Sequence, residues 1–184
     1  DCPQRDERLG WTGDAQVFIG TAAFHYDVRN MFRKWTADLR DGQRRDGAYP
    51  DVAPDVLGPM GPWQFGNAGW ADAGVICPWM IYWHYGDRKI LEENYPAMVR
   101  WIEYQRRTSK GLVRPRTAYG DWLAIDAVTP QNAPVPCDLV GTAYFAHTTD
   151  LMTRIAGVLR KPADRTRFRR LHSRIISAFQ KAYV

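Results

Sequence analysis

Residues 70–109, WADAGVICPWMIYWHYGDRKILEENYPAMVRWIEYQRRTS, set two helical stretches of opposite character one after the other. From Trp70 to Tyr85 nearly every residue is apolar, which predicts a helix buried on all sides. Asp87 then stands where an N-cap belongs, ahead of a one-sided helix over Arg88–Ser109. Leu91, Tyr95, Met98 and Ile102 keep one face of it, and Glu92, Glu93, Glu103 and Arg107 the other. Glu103 and Arg107 stand at the i,i+4 spacing that favours an ion pair. Two helices with so short a link read as an αα-hairpin.

The same unit recurs on either side. Small and apolar residues alternate at helical spacing from about Gly13 to Phe24, and after a break at His25–Asp27 a second run covers Val28–Asp41, ending at Gly42. Further on, Asp138–Arg160 is followed by Pro162, read as a helix stop, and by Asp164–Tyr183 with Phe168, Leu171, Ile175 and Phe179 on one stripe. Between the pairs lie two irregular stretches. Pro50, Pro54, Pro59 and Pro62 with Gly47, Gly58, Gly61 and Gly66 forbid regular helix between Gly42 and Gly69. Residues 111–136 hold Tyr119, Asp121 and Trp122 among further prolines.

No β-type alternation of useful length appears, so the class is all-α. Three αα-hairpins with short links on one side and long, aromatic-rich links on the other suit an (α/α)6 toroid, whose long loops gather at one mouth. A closed ring of that kind takes six pairs. This chain therefore corresponds to about half of one, with an apolar inner face left uncovered and the loops 43–69 and 110–136 on one side.

The chain has 184 residues, 45% of them hydrophobic, enough for one domain with a real core. No window approaches the uncharged apolar length of a bilayer span, so no membrane is expected. The 25 Lys and Arg against 20 Asp and Glu give a net charge of +5. Much of it falls in the last helix (Arg165, Arg167, Arg169, Arg170, Arg174, Lys181), where it alternates with the apolar stripe as a solvated face does, and nucleic acid is not expected as a partner. Cys2, Cys77 and Cys137 are widely spaced and form no CxxC pair, which points to neither a disulfide framework nor a zinc site. His25, His84, His147 and His172 lack metal-ligand spacing, so no metal and no cofactor is expected.

The chemistry concentrates at the start. Residues 1–14, DCPQRDERLGWTGD, pack Asp1, Arg5, Asp6, Glu7, Arg8, Trp11 and Asp14 into a turn-rich stretch bounded by Pro3, Gly10 and Gly13. Such a set suits a sugar site. Carboxylates accept hydrogen bonds from vicinal hydroxyls, an arginine fork holds a carboxylate in place, and an indole covers the apolar side of a pyranose. The same composition also describes a solvated charged loop, and chemistry alone leaves the two readings level.

In their order these residues resemble, nearly position for position, the signature of the bacterial α-L-rhamnosidases of glycoside hydrolase family 78. The resemblance continues through AYPDVAP at 48–54, GWADAGVICPW at 69–79, YGDWL at 119–123 and VPCDLVGTAYFAH at 135–147, and so spans essentially the whole chain. It implies an (α/α)6 barrel that removes terminal α-L-rhamnose from glycosides or polysaccharides with inversion. Glu7 matches the family's general acid. Asp1, Trp11 and Asp14 match residues lining the rhamnose pocket, and Trp70 and Trp122 match its aromatic walls. Arg5 and Asp121 fall inside the matching blocks and are carried over as substrate-binding residues.

The resemblance also marks what to look for elsewhere. Inversion needs a second carboxyl about 6.5 to 9.5 Å from the acid, with a water between. In the family that base is a later glutamate, whereas here Glu92, Glu93 and Glu103 share the polar face of one helix. Both ends of residues 1–184 therefore read as cuts through a larger catalytic domain, its remaining half and flanking β-domains being the expected partners of this segment. The bacterial location is left as cytoplasmic or secreted. A different toroid glycosidase, of the unsaturated glucuronyl hydrolase or trehalase kind, would share the hairpins but not the signature. A non-catalytic carbohydrate-binding protein would keep the tryptophans and have no need of a proton-carrying carboxyl.

Overall fold

The structure is a computed structural model that describes residues 6–115, 119–129 and 133–184. Asp1 and Arg5, both expected in the sugar site, and Cys2 lie outside the described residues. Six helices are present among those described: α1 (Thr12–His25), α2 (Arg29–Asp41), α3 (Ala73–Tyr85), α4 (Arg88–Thr108), α5 (Cys137–Val158) and α6 (Pro162–Tyr183). The described residues contain no strand, only isolated bridges, among them Trp11 with Val52 and Pro50 with Phe65.

The helices form two layers. α1, α3 and α5 stand in a row, α3 touching both of the others, while α2 packs on α3 and α4, and α6 lies along α5. Composition accounts for the sorting. The row helices are apolar around most of their circumference, and α2, α4 and α6 are one-sided. The expected stripe of α4 is buried throughout, with Leu91, Met98 and Ile102 fully covered and Tyr95 nearly so. Phe168, Leu171 and Ile175 of α6 are likewise buried. Each aliphatic or Phe side chain sealed in this way contributes about 1.5–3 kcal/mol. The arginines of α6 face outward, opposite that stripe.

Short and long connections separate to opposite ends. The Tyr85 hydroxyl at the end of α3 accepts from Val28 N at 3.1 Å and donates to the Tyr26 carbonyl at 3.0 Å, so the α1–α2 link lies against the end of α3. The loops before α3 and before α5 meet at the other end, where Tyr119 reaches Gln64 at 3.3 Å. This is the arrangement expected of a toroid mouth.

Four local expectations are corrected. Residues 70–72 form a turn, and α3 starts at Ala73. Burial of α3 on all sides fails toward its C-terminal end, where Trp83 is 68% exposed, because no described element covers that face. Pro162 is the first residue of α6 and not a stop, a position where its missing N–H costs nothing. Glu103 pairs with Arg106 at 2.8 Å and with Arg167 of α6 at 3.1 Å, while Arg107 turns to the Asp46 carbonyl. The Asp87 cap is present, its carboxylate accepting from Ile90 N at 3.3 Å.

Candidate active site

The signature loop enters α1 across the first long loop. Trp11 bridges to Val52, Thr12 N donates to the Asp51 carbonyl at 2.9 Å, and Ala53 N donates to the Gly10 carbonyl at 2.9 Å. Two glycines make this approach possible. A Cβ on Gly10 would collide with the Ala53 carbonyl oxygen, and one on Gly13 would stand 2.9 Å from the Trp70 indole. The first turn of α1 can therefore lie directly on Trp70, with Asp14 on that same turn.

Glu7 is exposed, and its Oε1 accepts from the Trp11 indole N–H at 2.9 Å. Trp11 in turn meets Tyr119 edge-on, ring centroids 6.3 Å apart. Trp70 stacks obliquely on the same tyrosine at 4.3 Å, and Trp122 meets it edge-on at 5.5 Å. Tyr119 thus gathers all three expected tryptophans, each of them half-buried and none sealed in the helical core. Asp121, beside Trp122, is exposed.

Two buried carboxyls support these loops, and neither was singled out from sequence. Asp72 accepts from Gly69 N at 2.9 Å, Trp101 Nε1 at 3.1 Å and Gln105 Nε2 at 3.2 Å, locking the Trp70 turn onto α4. Burial pushes its carboxyl up to about 6, against the pull of those donors and of Arg114. Asp51 accepts from Asn67 Nδ2 at 2.6 Å, and burial pushes it up to about 7 against the lowering influence of Asn67 and Tyr119. The Asp55 charge pushes the same way. Asp51 lay within the quoted block AYPDVAP, but only its long-range contacts single it out.

A cavity of about 410 Å³ opens further along α1, lined by Gln16, Val17, Ile76, Ala143, Tyr144 and His147. Gln16 donates to the Gly69 carbonyl and Tyr144 lies against Gly69, so this space adjoins the Trp70 turn. Among the described residues no group of His, Cys, Asp and Glu side chains could hold a metal ion, and no helix is long and apolar enough to cross a membrane. Cys77 and Cys137 are free thiols.

Comparison with known proteins places this arrangement. An α-L-rhamnosidase of Streptomyces avermitilis is 48% identical over 184 residues, all of this chain and 17% of its own length. The crystal structure of the Streptomyces avermitilis α-L-rhamnosidase complexed with L-rhamnose superposes with a TM-score of 0.86 at 47% identity, over 99% of this chain and 16% of that one. The α-L-rhamnosidase from Dictyoglumus thermophilum gives a TM-score of 0.90 at 34% identity, over 100% of this chain and 20% of that one. The chain thus spans less than a quarter of the length of these relatives, and its three helix pairs are part of an (α/α)6 toroid. Residues 1–184 match throughout the family described as the bacterial alpha-L-rhamnosidase 6 hairpin glycosidase domain, and the chain belongs to that family.

Proposed function

We propose that this chain supplies the acid side of an α-L-rhamnosidase active centre. Glu7 is the general acid that protonates the glycosidic oxygen as the bond to rhamnose breaks. Trp11, Trp70 and Trp122 form the apolar walls of the sugar pocket, Asp14 binds rhamnose hydroxyls, and Asp1, Arg5 and Asp121 complete the polar contacts. The observation that carries this reading is the convergence of the three tryptophans on Tyr119, with Glu7 hydrogen-bonded to the nearest of them. A charged loop in open solvent has no such aromatic floor, and indole faces beside a carboxyl suit a pyranose whose leaving oxygen needs a proton.

The reaction inverts the anomeric centre. A water attacks from the face opposite the leaving group, activated by a second carboxylate about 6.5–9.5 Å from the first. Glu92, Glu93 and Glu103 are unsuited to that role. They sit on α4 in ion pairs with Arg88, Arg33 and Arg106 respectively. The base belongs to the remaining part of the helical domain, which together with flanking β-domains completes the enzyme and covers the exposed face of α3. The substrate is a glycoside or polysaccharide ending in α-L-rhamnose.

The test is to hydrolyse an aryl α-L-rhamnoside with the full-length enzyme and follow the anomeric proton of the sugar as it is released. Initial appearance of β-L-rhamnose supports the reading. Initial release of the α-anomer contradicts inversion, and binding of rhamnosides without turnover would favour a non-catalytic carbohydrate-binding protein.

A further inference from the structure

Asp51 joins three of the segments that carry the proposed pocket. Its carbonyl accepts from Thr12 N at 2.9 Å and Thr12 Oγ1 at 3.0 Å, which pins the chain between Trp11 and Asp14. Its Oδ2 accepts from Asn67 Nδ2 at 2.6 Å, and the Asn67 carbonyl accepts from Trp70 N at 3.2 Å. The Tyr119 hydroxyl faces the same carboxyl and donates to Gln64 Oε1 at 3.3 Å, while the Gln64 carbonyl accepts from Asp51 N at 3.0 Å. The three segments, 10–14, 67–70 and 119–122, therefore share one buried node.

Stability alone does not account for a carboxyl at this point. Asp51 is fully buried, and its Oδ1 makes no complete hydrogen bond. Burying a carboxyl so poorly paired is costly, and an apolar residue would pack the junction at less expense. What an apolar residue would lack is a carboxyl that accepts from Asn67 and faces the Tyr119 hydroxyl. Geometry at a sugar site is worth defending, because a displacement of about 1 Å can cost on the order of a hundredfold in rate.

We propose that Asp51 is a positioning residue of the rhamnose pocket, fixing Trp11, Trp70 and Tyr119 relative to one another through the bonds its carbonyl and carboxyl accept from Thr12 and Asn67 and through the Tyr119 hydroxyl that its carboxyl faces. This rests on the reading of the pocket as a rhamnose site. Asp51 touches no substrate. It acts through the placement of the indoles, so its loss weakens sugar binding more than it slows the chemical step.

The experiment uses the full-length enzyme with an aryl rhamnoside as substrate and L-rhamnose as competitive inhibitor, comparing Asp51→Ala, Asp51→Asn and Tyr119→Phe, each with its melting temperature. Asp51→Ala and Tyr119→Phe are expected to raise the rhamnose Ki and the KM by about three- to tenfold, the worth of one buried hydrogen bond, with a smaller effect on kcat. Asp51→Asn recovers most of the loss, since its amide oxygen still accepts from Asn67. The double variant Asp51→Ala/Tyr119→Phe is no worse than its more damaging single, because both break one node. Lowered melting temperatures with an unchanged rhamnose Ki would overturn the node alone. So would Asp51→Asn proving as damaging as Asp51→Ala while melting like the wild type. If Asp51→Ala does not fold, Tyr119→Phe decides, because it removes a single hydroxyl. A wild-type enzyme not inhibited by rhamnose would overturn the pocket reading, and the node with it.

Discussion

The indole N–H of Trp11 donates to Glu7 Oε1 at 2.9 Å, tying the proposed acid to the wall of the proposed pocket. The bond holds the carboxyl beside the pocket wall from which it would deliver its proton. Trp11→Phe keeps a smaller aromatic wall and removes this bond. As Glu7 gives up its proton the bond becomes one to a charged group, worth about 1.5–3 kcal/mol, so turnover of a natural rhamnoside in the full-length enzyme should fall by roughly ten- to a hundredfold. An aryl rhamnoside, whose leaving group needs less protonation, should lose less. Steady-state kinetics on both substrates check this, and equal losses would mean that Trp11 acts only as a wall.

Gly13→Ala sets two effects against each other. Alanine is the better helix former, by at most about 0.8–1 kcal/mol at this second residue of α1, which favours the variant. The added methyl would stand 2.9 Å from the Trp70 indole, so the indole or the turn has to move. The expected outcome is a melting temperature near that of the wild type together with a raised KM for rhamnosides. An unchanged KM would show that Trp70 does not contact the sugar.

Asp14 is assigned to holding rhamnose and not to proton transfer. Asp14→Asn should therefore depress kcat/KM on natural and aryl rhamnosides by a similar factor. Measured on the same two substrates, a loss confined to the natural one would transfer the acid role toward Asp14.

The helical frame was legible in the sequence because each pair joins an apolar helix to a one-sided one, and the breakers between them are dense. Observed helix ends fall within about three residues of those read from periodicity, the shortfall being Trp70–Asp72, where Asp72 bonds Gly69 N and holds a turn. Trp11 was legible beside the charges of residues 1–14, whereas Trp70 and Trp122 were legible as pocket walls only through resemblance to a family. Their meeting at Tyr119 was not, since it joins residues far apart in the chain. Asp51 is illegible for the same reason: Thr12, Asn67 and Tyr119, which meet it, lie 39, 16 and 68 positions away, and nothing local marks its burial. The exposure of Trp83 was also unreadable, because hydrophobicity reports that a face is to be covered and not by which part of a chain.

The buried Asp51 makes stability depend on pH. Its carboxyl is pushed from 3.8 up to about 7, so the folded state favours the neutral form. Its contribution is fully present below its unfolded pKa and is lost as pH rises through the folded value. Asp51→Asn has no such charge to bury. The gap in melting temperature between Asp51→Asn and the wild type should therefore move in favour of the variant from about pH 4 to about pH 7 and stay level above it. Thermal melts across that range check this, and a gap that does not change with pH would show that Asp51 ionises in the fold as easily as in the unfolded chain.

Glu7 is proposed to deliver the proton to the leaving oxygen. Glu7→Gln in the full-length enzyme keeps the shape and an acceptor for the Trp11 N–H but removes the proton. General acid catalysis contributes about 10²- to 10⁴-fold, so hydrolysis of a rhamnoside whose leaving group is a sugar alcohol should fall by that order. The decisive measurement is the ratio of kcat for that substrate to kcat for an activated aryl rhamnoside, in the variant and in the wild type. The ratio is expected to collapse in Glu7→Gln, because the aryl substrate leaves with little help. Equal losses on the two substrates, with the ratio unchanged, would contradict it.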